Sequence, residues 1–176
     1  AVHTSDDLPA LYARIHAIIK TLMPADNFYI AQRNPDGVTF GFPYLVDQYD
    51  RSTVPLRLDQ GLTGYVLRRG RPLLAGPHNC LSPGGRLGLV EEDGERVEAI
   101  FFGPRAATVW LGVPLAIRGL TFGVVALQDY ENPAAYGEAE KRLLMFVAGQ
   151  IALAIERKRA ESALRDRALM LAEKVG

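Results

Sequence analysis

The first part of the chain has a helical hydrophobic pattern followed by a strand-like one. Apolar residues recur at helical spacing over residues 8–22, which predicts an amphipathic helix that ends before Pro24. Along residues 27–33, Phe28, Ile30 and Gln32 alternate with Tyr29, Ala31 and Arg33, and this period of two indicates a half-buried strand.

A hairpin completes this first region. Residues 34–37 read Asn-Pro-Asp-Gly, a turn sequence, and residues 38–46 return as a second strand. Phe40, Phe42 and Tyr44 alternate along it, so we expect the three rings to share one face of the sheet.

The middle of the chain is less regular. Residues 61–69 predict a short helix and residues 71–75 a short strand. Residues 76–105 are rich in Gly and Pro, which is typical of a lid, a binding segment or a disordered segment. Within them, residues 87–97 suggest a helical turn or two.

A second hairpin follows, with strands over 107–117 and 120–130 around a tight turn at Arg118 and Gly119. Both faces of the first strand are apolar, which predicts a sheet covered on both sides. One face carries Trp110, Gly112 and Pro114, and the other carries Leu111, Val113 and Leu115. Pro114 lacks an N–H group, so we expect it at a sheet edge or beside a bulge.

The most unusual pattern is a long helix over residues 138–175, which contain no Pro. Such a helix is roughly 57 Å long at about 1.5 Å per residue. Its first half is apolar, with one stripe that we expect on the sheet: Leu144, Val147, Ile151 and Ile155. Its second half is dominated by charges, so the helix is predicted to extend beyond the domain.

The composition of the chain argues against several classes of function. The chain has 176 residues, 48% of them apolar, and its 20 basic and 20 acidic residues cancel, so nothing indicates a nucleic-acid surface. The longest apolar run, residues 143–155, is too short to cross a membrane. One cysteine, Cys80, fits a reducing compartment, and we expect a cytoplasmic protein. The absence of an initiating Met and the open-ended helix suggest a piece of a longer chain.

Three segments together resemble a known family. They are GLTGYVLRRGRPLLA at 61–75, WLGVPLAIRGLTFGVVALQDY at 110–130, and the helix that begins at 136 and contains ERKRAE. Their combination resembles the GAF family of small-molecule sensor domains. The resemblance implies an α+β, GAF/PAS-like fold with an antiparallel sheet of five to six strands. The N- and C-terminal helices would pack on one face, and the variable segment would cover a ligand pocket on the other.

The resemblance also implies a place in a multidomain bacterial signalling protein, typically a sensor histidine kinase, a GGDEF diguanylate cyclase or a transcription regulator. We therefore divide the chain into a GAF sensor domain over residues 1–158 and a signalling helix over residues 159–176 that leads to an output domain.

A set of mostly aromatic residues is the candidate lining of the pocket, since a small-molecule cavity is mainly apolar with a few polar groups. The candidates are Phe42, Tyr44, Tyr65, His78, Phe101, Phe102, Trp110 and Gln128. The alternative for each residue is that it simply fills the core. Arginines are a further set that either grips an anionic ligand or is solvated: Arg33, Arg57, Arg86, Arg96 and Arg105.

Other chemistries have weaker support. Cys80 and His78 supply two ligands at most, whereas a tetrahedral zinc site needs three or four, so no metal site is predicted and no cofactor is identified. Cys80 is followed by Leu81, unlike the Cys-His pair by which phytochrome-type members attach a bilin. The Asn-Lys pair of cyclic-nucleotide-binding members is absent from the sequence.

The long helix also predicts a parallel homodimer. Leu143, Phe146 and Leu153 lie on a different side from the sheet-facing stripe, so a second partner is expected there. Further along, Leu164, Ala168 and Leu171 continue at coiled-coil spacing. Residues 157–161 between these two regions place charged residues on the seam, which predicts weak packing at that junction.

The sequence thus predicts a non-catalytic input domain that binds an unidentified small molecule and passes its state to an output domain through a helical dimer. The alternative is a structural GAF domain that only dimerises and spaces its neighbours. A GAF-type methionine sulfoxide reductase is a third reading, which the single cysteine disfavours.

Overall fold

The computed structural model describes residues 4–175, with side chains from residue 8 onwards. Three α-helices and eight strands alternate along the chain in the order that the hydrophobic pattern predicts for most of its length. The helices are α1 (Thr4–Lys20), α2 (Gly61–Arg69) and α3 (Glu138–Val175). The strands are β1 (Phe28–Arg33), β2 (Thr39–Val46), β3 (Leu56–Arg57), β4 (Leu73–Ala75), β5 (Leu89–Glu92), β6 (Glu95–Glu98), β7 (Val109–Ile117) and β8 (Leu120–Asp129).

Six of the strands form one sheet in the order β3-β2-β1-β8-β7-β4, and every neighbouring pair is antiparallel. This confirms the predicted α+β fold with an antiparallel sheet of five to six strands. Arg118 and Gly119 form the tight turn between β7 and β8, and both have positive φ. Pro114 lies beyond the reach of β4, which pairs only with residues 110–112 of β7, so its missing N–H leaves no ladder bond unmade.

Both faces of the sheet are covered, and each face has its own core. The first core joins α1, α3 and one face of the sheet, and it contains Phe28 and Leu111. The second core joins the opposite face to α2 and the β5–β6 hairpin, and it contains Tyr29 and Trp110. The strand predicted at 27–33 is confirmed as β1, but its predicted half-burial is wrong, because four consecutive residues of β1 are buried.

Two further expectations are corrected by the structure. Residues 87–97 do not form a helical turn; they form the β5–β6 hairpin, which turns at Asp93 and Gly94, both with positive φ. In addition, the β1–β2 pairing shifts between Ile30 and Gln32, and this bulge changes which face each later side chain occupies.

Because of that shift, Phe40, Phe42 and Tyr44 do not share a face. Phe40 and Phe42 pack in the second core, whereas Tyr44 packs against the first core, on the helix side. There its hydroxyl lies 2.8 Å from Nδ1 of His16, whose Nε2 lies 2.6 Å from the carbonyl oxygen of Ala25.

The long C-terminal helix is a single helix in the structure. Its sheet-facing stripe is Leu144, Ala148, Ile151, Ala152 and Ile155, and Val147 packs beside it. The other apolar side remains exposed: Phe146 is 75% exposed and Leu153 is 56% exposed. Within the described chain, no helix is both long and apolar enough to cross a membrane.

Candidate functional site

A cavity lies on the second face of the sheet, between the strands, α2 and two loops. Its space is about 540 Å³ including the opening to solvent, and its enclosed part is narrow. The aromatic lining consists of Tyr29, Phe40, Phe42, Phe101, Phe102 and Trp110. The aliphatic lining consists of Leu45, Leu56, Leu62 and Ile100, and the polar lining of Asp50, Ser52, Thr63 and Gln128.

A chain of three hydrogen-bonded side chains lies along one wall of the cavity. The indole Nε1 of Trp110 donates to the hydroxyl of Tyr29 at 3.0 Å, and that hydroxyl lies 2.6 Å from Oγ1 of Thr63. The indole can only donate, so whichever hydroxyl bonds the other, one hydroxyl proton has no acceptor among the described residues. This proton is a spare donor at the wall of the cavity.

A second polar group, Gln128, offers an acceptor. Its Nε2 donates to Oδ2 of Asp47 at 2.7 Å and to the hydroxyl of Tyr130 at 3.1 Å. The bond to a carboxylate fixes the orientation of the amide, because only the nitrogen can donate. Gln128 is 4% exposed and lines the cavity, and its Oε1 oxygen accepts no hydrogen bond from the part of the chain that the structure describes.

Asp47 joins the sheet to one of the two covering loops. Its carboxylate accepts hydrogen bonds from Tyr130 at 2.7 Å and from Gln128, both on the sheet side. It also accepts the backbone N–H groups of Tyr49 and Asp50 at 2.9 and 2.8 Å. The loop of residues 47–55, between β2 and β3, is therefore fixed at its start to the end of β8.

The second covering loop, residues 99–108 between β6 and β7, is bound to the first. The backbone N–H of Phe102 donates to Oδ2 of Asp50 at 3.0 Å. The guanidinium of Arg105 donates to the hydroxyl of Tyr49 at 3.0 Å and lies 4.9 Å from the centre of that ring. These contacts close the two loops over the cavity as one lid.

Burial changes the ionisation of tyrosines in and near this site. Desolvation raises the pKa of Tyr29 to about 12, against hydrogen bonds from Thr63 and Trp110 that lower it, while Asp50 and Asp47 add to the rise. Desolvation, and then the hydrogen bond to Asp47, also hold the pKa of Tyr130 far above its usual value. All these phenols are thus neutral donors at physiological pH.

The structure brings together five of the predicted pocket residues and separates the other three. Phe42, Phe101, Phe102, Trp110 and Gln128 line the cavity. Tyr65 is buried in the second core but does not line the cavity, and His78 is exposed in the loop after β4. Tyr44 lies on the opposite face of the sheet. Whether the lining residues contact a ligand stays a prediction.

Tyr29, Thr63 and Asp50 are lining residues that the sequence pattern did not indicate. Tyr29 alternates with Phe28 and Ile30 along β1, and the pattern did not indicate which of the two faces meets a cavity. Thr63 lies in α2, whose pattern predicts a helix but not which side chain meets a cavity. Asp50 follows β2 in a loop whose path depends on its contacts with Phe102.

The candidate arginines bond mainly to the protein itself. Arg33, Arg86 and Arg105 donate to backbone carbonyl oxygens, with Arg86 reaching that of Tyr130 at 2.6 Å. Arg57 pairs with Asp59 at 2.5 Å. None of the five arginines is among the described residues that line the cavity.

Cys80 lies outside the cavity as well. It is half-buried, and its Sγ lies 3.6 Å from the carbonyl oxygen of Ser82 and 3.5 Å from that of Arg86. Among the side chains that the structure describes, those of residues 8–175, no group of three or more His, Cys, Asp or Glu is arranged to hold a metal ion.

The fold and its cavity define a class of protein: an antiparallel-sheet domain with terminal helices on one face and a lidded pocket on the other. A sequence model of the GAF domain matches residues 7–155. The chain therefore belongs to the GAF domain family, as its sequence motifs suggested. The search of curated protein sequences gave no match.

Solved structures with the same fold have low sequence identity to this chain. The second GAF domain of DevS from Mycobacterium smegmatis is 14% identical, with 89% of this chain and 99% of that chain covered and a TM-score of 0.63. The GAF domain of an Acinetobacter phosphoenolpyruvate-protein phosphotransferase is 19% identical, with coverage of 93% and 88% and a TM-score of 0.58. The type II free methionine-R-sulfoxide reductase from Thermoplasma acidophilum is 12% identical, with coverage of 88% and 96% and a TM-score of 0.67.

The raised tyrosine pKa values predict a loss of stability in alkali. The folded state holds the Tyr29 proton up to a pKa of about 12, whereas the unfolded chain releases it near 10. Stability from this group is complete below pH 10 and falls as pH rises towards 12, by up to about 1.4 kcal/mol per pH unit. Urea unfolding at several pH values between 10 and 12 measures this slope of unfolding free energy against pH.

The matched variant is Tyr29→Phe, which removes this titration while Tyr130 and Tyr136 still contribute. Its slope of unfolding free energy against pH should be shallower than that of the original chain. An unchanged slope would show that Tyr29 titrates at its ordinary value.

Proposed function

We propose that this chain is the regulatory input domain of a multidomain signalling protein, and that its cavity binds a small molecule. GAF domains are typically regulatory and non-catalytic, and several structural relatives come from signalling proteins. The observation that carries the proposal is Gln128: a fully oriented, buried amide that presents an unpaired acceptor at a cavity. The Oε1 oxygen has no partner among the described side chains and faces the cavity, so a ligand that donates a hydrogen bond can bind to it.

The lid supports the same function. The 47–55 and 99–108 loops meet through a few hydrogen bonds at the cavity mouth, such as that from Phe102 N–H to Asp50. Each bond to a charged group contributes about 1.5–3 kcal/mol, far less than the whole sheet, so the lid can open without unfolding the sheet beneath it. A ligand that fills the narrow interior then adds contacts to the closed lid.

We further propose that the ligand state reaches an output domain through α3 in a parallel homodimer. Cavity and helix lie on opposite faces of the same strands: Trp110 lines the cavity, and Leu111, the next residue, packs in the first core beside α3. A displacement of β7 under the pocket therefore acts directly on the helix. Residues 1–158 are proposed as the sensor and 159–176 as the signalling helix, in a cytoplasmic protein with a histidine kinase or GGDEF output.

The second copy is the proposed partner of the exposed side of α3. Phe146 is 75% exposed on the part of the helix that packs on the domain, and Leu164 and Leu171 are 66% and 63% exposed beyond it. Leu164, Ala168 and Leu171 follow the spacing of a coiled-coil seam, and a seam of this kind is covered by an identical helix. Leu143 and Leu153 flank Phe146 on the same exposed side.

A structural domain without a ligand is the second candidate. The narrow interior of the cavity and the closed lid favour it, because both are compatible with a pocket that stays empty. Catalysis is not proposed: Cys80 lies outside the cavity lining, with its sulfur directed at two backbone carbonyls.

Ligand binding predicts a rise in melting temperature with a suitable metabolite. A compound at one hundred times its Kd stabilises the folded state by about 2.7 kcal/mol, or roughly 5–10 °C for a chain of this size. Ser52→Phe, which fills the mouth of the cavity, should abolish the shift. Thr53→Phe, at the next and exposed position, should leave it intact.

A metabolite library screened by thermal shift, with native mass spectrometry of the purified chain, makes this measurement. Absence of any stabilising or carried-over compound would favour the structural domain. A compound that stabilises Ser52→Phe as strongly as the original chain would place its site outside the cavity.

The helical dimer predicts that a charge on the seam separates the subunits. Leu164→Glu places two carboxylates opposite each other and should give a monomer in sedimentation velocity, whereas the original chain gives a dimer. Leu169→Glu is the matched control, since Leu169 is 59% exposed but lies off the seam, and it should remain dimeric. A monomeric original chain, or equal effects of both variants, would contradict the proposed seam.

A further inference from the structure

The charge of the cavity is the first indication of its ligand. Among the described residues that line it there is no Lys, Arg or His, while Asp50 contributes a carboxylate. An anionic ligand would therefore meet the Asp50 carboxylate and no positively charged side chain, and the spare hydroxyl proton of Tyr29 and Thr63 is a neutral donor. Arg105 is bonded to Tyr49 and Glu131, and Arg86 to backbone carbonyls. Arg51, in the lid loop, is exposed and is not among the lining residues.

The negative field extends into the interior. Asp50 and Asp47 both raise the pKa of the Tyr29 phenol, whose hydroxyl lies on the cavity wall. The free acceptor of Gln128 adds a partial negative charge on the same side of the sheet. Each of these groups disfavours an anion in the cavity and favours a cation.

Aromatic rings form much of the cavity wall, since six of its lining side chains are aromatic. Phe42 meets Tyr29 and Phe40 nearly edge to face, with ring centres 5.3 and 5.6 Å apart and interplanar angles of 78° and 70°. Three further aromatic side chains line the same cavity. The face of an aromatic ring carries partial negative charge and attracts an ammonium group that has lost its water.

We propose that the ligand of this cavity is a small organic cation: an ammonium group on a compact apolar body, held among aromatic faces with Asp50 as its counter-charge. The inference rests on the proposed function, since it names the ligand class of the same pocket. The narrow interior limits the ligand to a compact group.

Three probes of similar shape and different charge test this class: tetramethylammonium, tert-butanol and pivalate, titrated at constant ionic strength. Trp110 is the single tryptophan of the chain, so its indole N–H gives one NMR cross-peak that reports on the cavity. Tetramethylammonium should move this peak to saturation with the lowest Kd of the three, and pivalate should leave it unmoved.

Asp50→Asn removes the charge and should weaken tetramethylammonium about fivefold, the size expected for one partly exposed ion pair, while the Kd of tert-butanol stays the same. Asp26→Asn makes the same substitution at an exposed position outside the lining and should change neither Kd. Equal weakening of both probes by Asp50→Asn would mean that Asp50 only holds the lid, and would overturn its role as counter-charge.

Pivalate or tert-butanol binding as tightly as tetramethylammonium would overturn the cation class and leave the sensor function standing. No response of the Trp110 peak to any probe would also overturn the cation class. The sensor function is then judged separately, by the metabolite screen with Ser52→Phe and Thr53→Phe.

Discussion

The contact between the Trp110 indole and the backbone at Gly112 sets the geometry of the second face of the sheet. A Cβ atom on Gly112 would lie 2.1 Å from a ring carbon of Trp110, so only glycine leaves room for the indole. In that position the indole N–H bonds Tyr29 on β1, which in turn bonds Thr63 on α2. These bonds hold β7, β1 and α2 in a fixed arrangement, and the cavity lies beside them, with Trp110, Tyr29 and Thr63 in its lining.

A sheet that is buried on both faces gives this small domain two functional sides. Alternation along β7 and β8 sends Trp110 and Gln128 to the cavity and Leu111 and Leu127 to the helices. Close-packed cores transmit small displacements, because side chains in them have few alternative positions. The proposed path from ligand to α3 therefore needs no long chain of intermediates. A ligand in the cavity needs only to shift the lid and the strands that contact it.

The regular elements could be predicted from sequence, whereas the composition of the cavity could be predicted only in part. The strands at 107–130 and the long helix have strong periodic patterns. Trp110 and Gln128 were candidates as an aromatic and a polar residue of this hairpin, but the pattern did not determine which of its two apolar faces meets the cavity. Tyr44 was assigned to the wrong face because one bulge in the β1–β2 pairing reverses the alternation, and no local signal marks it. Asp50 was missed because its position depends on contacts between two loops that are far apart in sequence.

The central proposal is that occupancy of the cavity changes the packing of paired α3 helices, and disulfide cross-linking along residues 157–171 tests it most directly. In a Cys80→Ser background, Arg157→Cys, Glu161→Cys, Leu164→Cys and Leu171→Cys each report whether two helices meet at that position. With the compound that most stabilises the domain, the rates at 157 and 161 should change relative to those at 164 and 171, because the charged junction is the weakest part of the seam. If the cross-linking rate at each of the four positions is the same with the compound as without it, the proposal is contradicted.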